Sequence, residues 1–179
     1  RSASAGKAER SGGAPLSRGA VLVTGGAGYV GSHACKALAL AGFTPVTFDN
    51  LSTGNRWAVR FGPLEPGDIL DLAALHLAFK RHRPVAVMHF AGAALVGESM
   101  REPAFYWRQN LTGTLNLVEA CRIHEVGAFV FSSTCAIYGT PERVPIDEEA
   151  PKAPINPYGA SKLAAERLLA DAAMAYGLR

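Results

Sequence analysis

A short apolar run, Val21-Leu22-Val23, passes through Thr24 into Gly25-Gly26-Ala27-Gly28-Tyr29-Val30-Gly31, and a helical pattern continues from Tyr29 to Leu40. Strand, tight turn and helix start come in immediate succession, and nothing else in the chain restricts its fold as strongly. The glycines read as Gly25-x-x-Gly28-x-x-Gly31 or as Gly26-x-Gly28-x-x-Gly31. A turn this tight calls for positive φ, which glycine adopts without steric cost. With no side chains in the way, a phosphate can approach the backbone and sit on the free N–H groups of a helix N-terminus, and Gly31 lets the helix pack close to the strand. A ligand-free glycine connection is the competing reading, because such patterns also occur by chance. The residues downstream of Leu40 decide between the two.

Gly42 closes the first helix, and Pro45-Val46-Thr47-Phe48 reads as a second strand ending at Asp49. This acid stands about twenty residues beyond the glycines, where a carboxylate accepts hydrogen bonds from the hydroxyls of an adenosine ribose. It repels a 2′-phosphate, and the nearest arginine, Arg56, is seven residues on, so the expected cofactor is NAD rather than NADP. Asp49-Asn50 also suits a plain turn; the glycine loop favours the cofactor. Leu51 to Gly62 reads as an irregular loop, Leu64-Glu65 as a short third strand, and Asp71 to about His82 as a helix with Lys80-Arg81-His82-Arg83 at its solvated end. Asp68 suits an adenine contact or the turn before that helix equally. Pro84 to Phe90 is a near-continuous apolar run, the pattern of a parallel strand buried on both faces. The small residues Ala91-Gly92-Ala93-Ala94 then leave room for a ligand at the switch point of an open sheet. His89, inside the run, reads as a core histidine rather than a ligand.

Phe105 to Cys121 reads as a long helix carrying poor helix formers, among them Asn110, Thr112, Gly113, Thr114 and Asn116. Asn110 is the one expected near the cofactor; close packing on the sheet is the other reason for such residues. Gly127 to Ser133 is a fifth strand, ending in Ser132-Ser133-Thr134. Ala136 to Ile155 is a Pro- and acid-rich connection expected to overhang the site. Asn156 and Pro157 suit the N-cap and first position of a final helix, which runs to about Ala175 and ends at Gly177. Strands alternating with helices predict an α/β, Rossmann-like doubly wound parallel sheet with helices on both faces.

Composition narrows the function classes. A net charge of +3 from 18 basic and 15 acidic residues, with the basic ones scattered, gives no reason to expect nucleic acid or a membrane surface as partner. Three cysteines without CxxC spacing suggest neither a disulfide framework nor a metal site, and fit a reducing, cytoplasmic compartment. No apolar run reaches the roughly 18 residues of a membrane span. Residues 1–19, rich in Ser, Gly, Ala and Arg, read as a disordered N-terminal extension without a secretory h-region, and 20–179 as one domain.

On the last helix Tyr158 and Lys162 stand four residues apart and share a face. A phenol with a reference pKa of about 10 is a poor base at neutral pH. A neighbouring ammonium and the positive charge of a nicotinamide both favour its ionised form, which could then remove a hydroxyl proton. A hydroxyl from the end of the fifth strand, Thr134 or Ser133, would orient the substrate oxygen. Tyr-x-x-x-Lys alone is common surface packing; after a dinucleotide loop and a Ser-Ser-Thr strand end it becomes a candidate catalytic pair.

Nine segments carry a resemblance: Thr24–His33, Asp49–Gly54, Gly67–Ile69, His89–Gly92 with Val96–Ser99, Asn110–Thr114, Phe131–Thr134 with Tyr138-Gly139, and Asn156–Lys162. In unbroken order over about Ala20 to Arg179, they resemble the extended short-chain dehydrogenase/reductases, and within them the UDP-glucose 4-epimerase family. The resemblance implies interconversion of UDP-glucose and UDP-galactose through a transient 4-keto sugar with bound NAD. Tyr29 and Val30 would line the pyrophosphate, with Gly25, Gly28 and Gly31 shaping the loop. Asp49 and Asn50 would hold the adenosine ribose, and Asp68 and Ile69 the adenine. Phe90, Ala91, Gly92 and Asn110 would border the cofactor. Tyr158 would be the base, Lys162 would hold the nicotinamide ribose, and Thr134, often serine in the family, would meet the substrate hydroxyl beside Ser133. Many of these epimerases carry a lysine where Ala94 stands, and Ala93-Ala94-Leu95 resembles a subgroup that includes UDP-arabinose/UDP-xylose 4-epimerases, so the sugar stays open. The related 4,6-dehydratases place Asp-Glu just after the threonine; Cys135 and Ala136 cannot do that work. Family members run on past the Tyr/Lys helix, so the expectation is a truncated chain lacking the C-terminal substrate-binding part. A homodimer formed through Phe105–Cys121 and Pro157–Ala175 is expected when full length. A truncated NAD-binding module without catalysis is the reading from another class.

Overall fold

The computed structural model describes residues 17–179. Five strands, β1 (Ala20–Thr24), β2 (Thr44–Asp49), β3 (Leu64–Pro66), β4 (Ala86–His89) and β5 (Phe129–Phe131), form one parallel sheet in the order β3-β2-β1-β4-β5. The helices are α1 (Tyr29–Leu40), α2 (Leu72–His82), α3 (Val96–Ser99), α4 (Pro103–Tyr106), α5 (Gly113–Ile123) and α6 (Pro157–Tyr176). A π-helical segment, Trp107–Thr112, joins α4 to α5, and short 3-10 turns occupy Arg56–Ala58 and Cys135–Tyr138. This is the doubly wound arrangement expected from the alternation of strands and helices.

The two faces of the sheet differ. On one, Leu22, Val46, Phe48 and Val87 pack with Leu75 and Phe79 of α2, Leu117, Val118 and Cys121 of α5, and Ala172 of α6. On the other, Val21 and Val23 pack with Cys35 of α1, flanked by Leu38, Phe43, Ala86, Met88 and Phe90. The sequence pattern predicts a fourth strand buried on both faces, and the structure corrects this. Val87 and His89 are buried, Ala86 and Met88 only half so, and Val130, the register partner of Met88, is 52% exposed. Among the described residues the cluster on that face contains one helix, α1, which sits over β1.

Local chemistry sets the element ends as expected. Gly42, with φ +84°, follows the cap of α1. The Asn156 side chain accepts from Gly159 N–H at 2.8 Å, Pro157 opens α6, and Gly177 ends it in the left-handed region. The long helix expected over Phe105–Cys121 is present but contains the π segment. The expected N-terminal extension falls mostly on residues 1–16, outside the described residues. Its last residues are part of the fold: Arg18 N–H donates to the Gly42 carbonyl, its guanidinium lies 4.7 Å from the Phe43 ring centroid, and the Gly19 carbonyl accepts from Thr44. Beyond α6, Arg179 runs beside β5, donating to the Gly127 carbonyl at 2.9 Å and accepting from Phe129 at 2.7 Å. No helix among the described residues is long and apolar enough to cross a membrane.

Candidate active site

Because all five strands run the same way, their C-terminal ends share one edge of the sheet. That edge collects the glycine loop after β1, Asp49 at the end of β2, Asp68 after β3, Phe90–Ala94 after β4 and Ser132–Thr134 after β5. An open parallel sheet binds ligands there, where the connections diverge to either side; here the divergence lies between β1 and β4.

The glycine loop is built for close approach. Gly25 adopts φ +71° and its N–H donates to the Phe48 carbonyl at 2.9 Å. A Cβ on Gly31 would run into the Gly25 carbonyl, so the helix can sit this near the turn only with glycine there. No side chain caps α1, and its first two residues, Tyr29 and Val30, are exposed. The free N–H groups of its first turn are of the kind on which an anion can sit. Asp49 is buried, with Oδ2 accepting from Ala27 N–H at 3.0 Å and Oδ1 from Leu51 N–H at 2.8 Å. An ionised carboxylate has about four lone-pair sites, so two bonds leave capacity for ribose hydroxyls. Asn50 donates to Asp68 Oδ2 at 2.8 Å, and Asp68 Oδ1 accepts from Leu70 N–H at 2.9 Å. Asp68 thus has the turn role weighed for it and also joins Asn50. Ile69 is buried in the main core, with its carbonyl taken by Asn116; a ligand would meet it through the backbone. The uncapped helix, the open glycine turn and the buried acid together suit a dinucleotide.

After β4, Phe90 N–H donates to the Thr24 carbonyl and the chain turns through Ala91 and Gly92, the latter at φ +153°. Asn110, 1% exposed in the π segment, holds this turn: its Oδ1 accepts from Ala93 N–H at 2.9 Å, and its Nδ2 donates to the Ala93 carbonyl and to Ser161 Oγ at 3.0 Å each. Ser161 in turn donates to the Tyr158 carbonyl. Asn110 therefore links the small-residue turn to the first turn of α6.

On α6, Tyr158 is half-buried and its ring meets Tyr106 edge-on, with centroids 6.3 Å apart. Tyr106 is fully buried. Its hydroxyl sits between the Leu95 backbone and the Glu98 carboxylate, which fixes both the ring and the 95–98 segment. Lys162, 6% exposed, lies 4.2 Å from the Phe131 ring centroid. Burial pushes its pKa from 10.5 down to about 8, against the opposing pull of Glu166. Thr134 Oγ1 accepts from Ala136 N–H at 3.2 Å, which leaves its own proton to donate. Ser133 instead donates to Glu166. Of the two hydroxyls held open by the sequence, Thr134 is the free donor. A Cβ on Gly159 would lie 2.5 Å from the Ala136 carbonyl, so the first turn of α6 presses on the 3-10 turn that Thr134 opens.

Tyr106, Glu98, Ser161 and Glu166 escaped the sequence reading. Only Glu166 had a local signal, its spacing of four from Lys162. His89 is a core residue as expected, 1% exposed, with Nδ1 2.6 Å from Thr24 Oγ1 and Nε2 3.1 Å from Thr114 Oγ1. Among the described residues no group of three metal-capable side chains gathers.

The profile of the NAD dependent epimerase/dehydratase family matches residues 21–179. A UDP-glucose 4-epimerase of Rhizobium leguminosarum bv. trifolii is 52% identical over 151 residues, 84% of this chain and 46% of the relative. The crystal structure of UDP-glucose 4-epimerase from Brucella ovis in complex with NAD superposes with a TM-score of 0.88 at 54% identity, covering 90% of this chain and 50% of that one. The Thermotoga maritima UDP-glucose 4-epimerase with UDP-glucose superposes at 0.85 and 39% identity, covering 89% and 52%. The chain spans about half the length of the curated relatives it matches.

Proposed function

The chain belongs to the NAD dependent epimerase/dehydratase family, and on that premise we propose that it is the cofactor-holding, base-carrying half of a UDP-sugar 4-epimerase interconverting UDP-glucose and UDP-galactose. The observation that carries this reading is the first turn of α6, which carries Tyr158 with Lys162 one turn on, pressed at Gly159 against the turn opened by Thr134, on the sheet edge that also holds the glycine loop. NAD would be held by the N-terminus of α1 at its pyrophosphate, by Asp49 and Asn50 at the adenosine ribose, by the 90–92 turn, and by Lys162 at the second ribose. When bound, it supplies the reversible oxidation at sugar C4.

The chain's own residues do the proton chemistry. Thr134 Oγ1 donates to the sugar 4-oxygen and orients it. The Tyr158 phenolate takes the 4-hydroxyl proton as the 4-keto sugar forms, and returns it once the sugar has presented its other face. The Lys162 ammonium stabilises that phenolate. Burial works against that charge, but with a pKa of about 8 Lys162 is still mostly charged at neutral pH. No carboxylate follows Thr134, where Cys135 and Ala136 stand, which argues against a dehydratase. Two copies paired through α5 and α6 form part of the same reading.

The test is epimerisation of UDP-galactose without added NAD, by the protein as its gene encodes it and by Tyr158→Phe. Turnover in the first and a loss of about 10²-fold or more in the second, in the range of a general base, is expected. Turnover of UDP-arabinose or UDP-xylose alone would change the sugar. Retained NAD with no UDP-sugar turned over would overturn the reading in favour of a binding module.

A further inference from the structure

We propose that Glu166 is a positioning residue, which ties the C-terminal end of β5 and the far end of the 139–155 connection to the Tyr158/Lys162 face of α6; only its kinetic consequence rests on the epimerase reading. Residues 158, 162 and 166 succeed one another at single-turn spacing along one helix face. The two carboxylate oxygens of Glu166 go to different parts of the chain. Oε1 accepts from Ser133 Oγ, and Oε2 accepts from Lys152 Nζ at 2.7 Å.

Each tether ends beside something the chemistry uses. Ser133 is the residue before Thr134, whose oxygen opens the 3-10 turn packed on Gly159. Lys152 lies at the close of the connection, where a Cβ on Gly139, at φ +64°, would run into the Ala153 carbonyl. The Lys152–Glu166 pair is 41% and 24% exposed at its side chains. Such a pair contributes little stability, so its consequence lies in where it holds the connection. The carboxylate is also the acidic neighbour of Lys162. The other groups facing that ammonium are the Phe131 ring from β5 and His89 from β4, with Tyr158 one turn back on α6. His89 is neutral at working pH, so Glu166 supplies the compensating charge.

The experiment uses the gene-encoded protein, with Glu166→Ala, Glu166→Gln and Glu166→Asp. Hydrogen exchange across 132–155 should quicken about tenfold in Glu166→Ala while β1 and β2 stay protected. In the kinetics kcat should fall about tenfold with KM little changed, a loss made in the transition state. The alkaline limb of the kcat profile should move to lower pH in Glu166→Gln and return in Glu166→Asp, a pattern that a purely structural role would not give. Unchanged exchange across 132–155 in Glu166→Ala overturns the tether, and an unmoved alkaline limb in Glu166→Gln overturns the charge role. If the parent protein turns over no UDP-sugar, the epimerase reading falls while the exchange measurement still decides the tether. Should Glu166→Ala fail to fold, Ser133→Ala and Lys152→Ala each cut one arm; local quickening in either supports the proposal, and none in both overturns it.

Discussion

Thr114 donates its hydroxyl proton to the Asn110 carbonyl at 2.6 Å, so toward His89 its oxygen can only accept. The proton of the imidazole is therefore on Nε2, and Nδ1 takes the proton of Thr24 Oγ1. A single oriented chain runs from the end of β1 through the end of β4 to the π segment, with every donor matched to an acceptor. A second proton on the ring would have to enter at Nδ1, against the Thr24 hydroxyl and in full burial. The pKa of His89 is pushed down to about 3, first by desolvation and then by the Lys162 charge. The chain also makes Thr114 costly to remove. Thr114→Val is nearly isosteric but leaves Nε2–H without an acceptor, and it should lower the unfolding free energy by about 1–3 kcal/mol. Thr114→Ser keeps the oxygen and most of the stability. Urea titration of the two variants distinguishes these outcomes.

At the scale of elements, the join between the glycine turn and α1 tolerates no side chain at Gly31. Gly31→Ala drives a Cβ into the Gly25 carbonyl, which belongs to backbone and cannot rotate away. The expected result is a loss of about 1–3 kcal/mol from forced repacking, together with loss of copurifying NAD, read by denaturation and by absorbance of the released nucleotide. This join was legible in the sequence because turn, helix start and strand are coded by adjacent residues. So were the caps of α6, and the Tyr158/Lys162 pair, which needs only helical spacing. The π segment was not, since no residue type specifies it; the cluster of poor helix formers from Asn110 to Asn116 marked the place without naming the geometry. Tyr106, Glu98 and Glu166 were hidden for another reason. Tyr106 meets Leu95 and Glu98, and Glu166 meets Ser133 and Lys152, each across a stretch of chain that only the fold brings together. Among the described residues no helix but α1 contributes to the cluster on the second face of β4, so its apolar run exceeds what this stretch of chain buries.

For the whole molecule, two groups at the same sheet edge shape the pH dependence of stability. His89 binds its proton more weakly folded, at about 3, than unfolded, at 6.5. Its contribution to stability is thus complete above 6.5 and is lost as pH falls from 6.5 toward 3. Lys162 is also depressed, from 10.5 to about 8. The unfolded chain binds more protons between these values, so this group's contribution rises with pH from about 8 to 10.5, by about 3 kcal/mol. NMR should show a His89 ring that does not titrate between pH 7 and 4. Unfolding free energies across pH 8–10.5 should climb in the parent protein relative to Lys162→Met, and parallel curves would refute the buried-cation account.

The spatial order β3-β2-β1-β4-β5 also fixes a sequence in time. β2 can pair with β1 soon after both are made, because only α1 separates them. The other edge of β1 must wait for β4: Thr24 meets His89 across 65 residues of chain. At 5–20 residues per second a ribosome needs about 3–13 s to deliver that length. Through that interval the centre of the future sheet is its edge, with the apolar Val21-Leu22-Val23 run and a row of unpaired amides exposed to neighbouring nascent chains. Of the three strands paired on both sides among the described residues, the one at the centre of the finished sheet thus waits longest for its second neighbour.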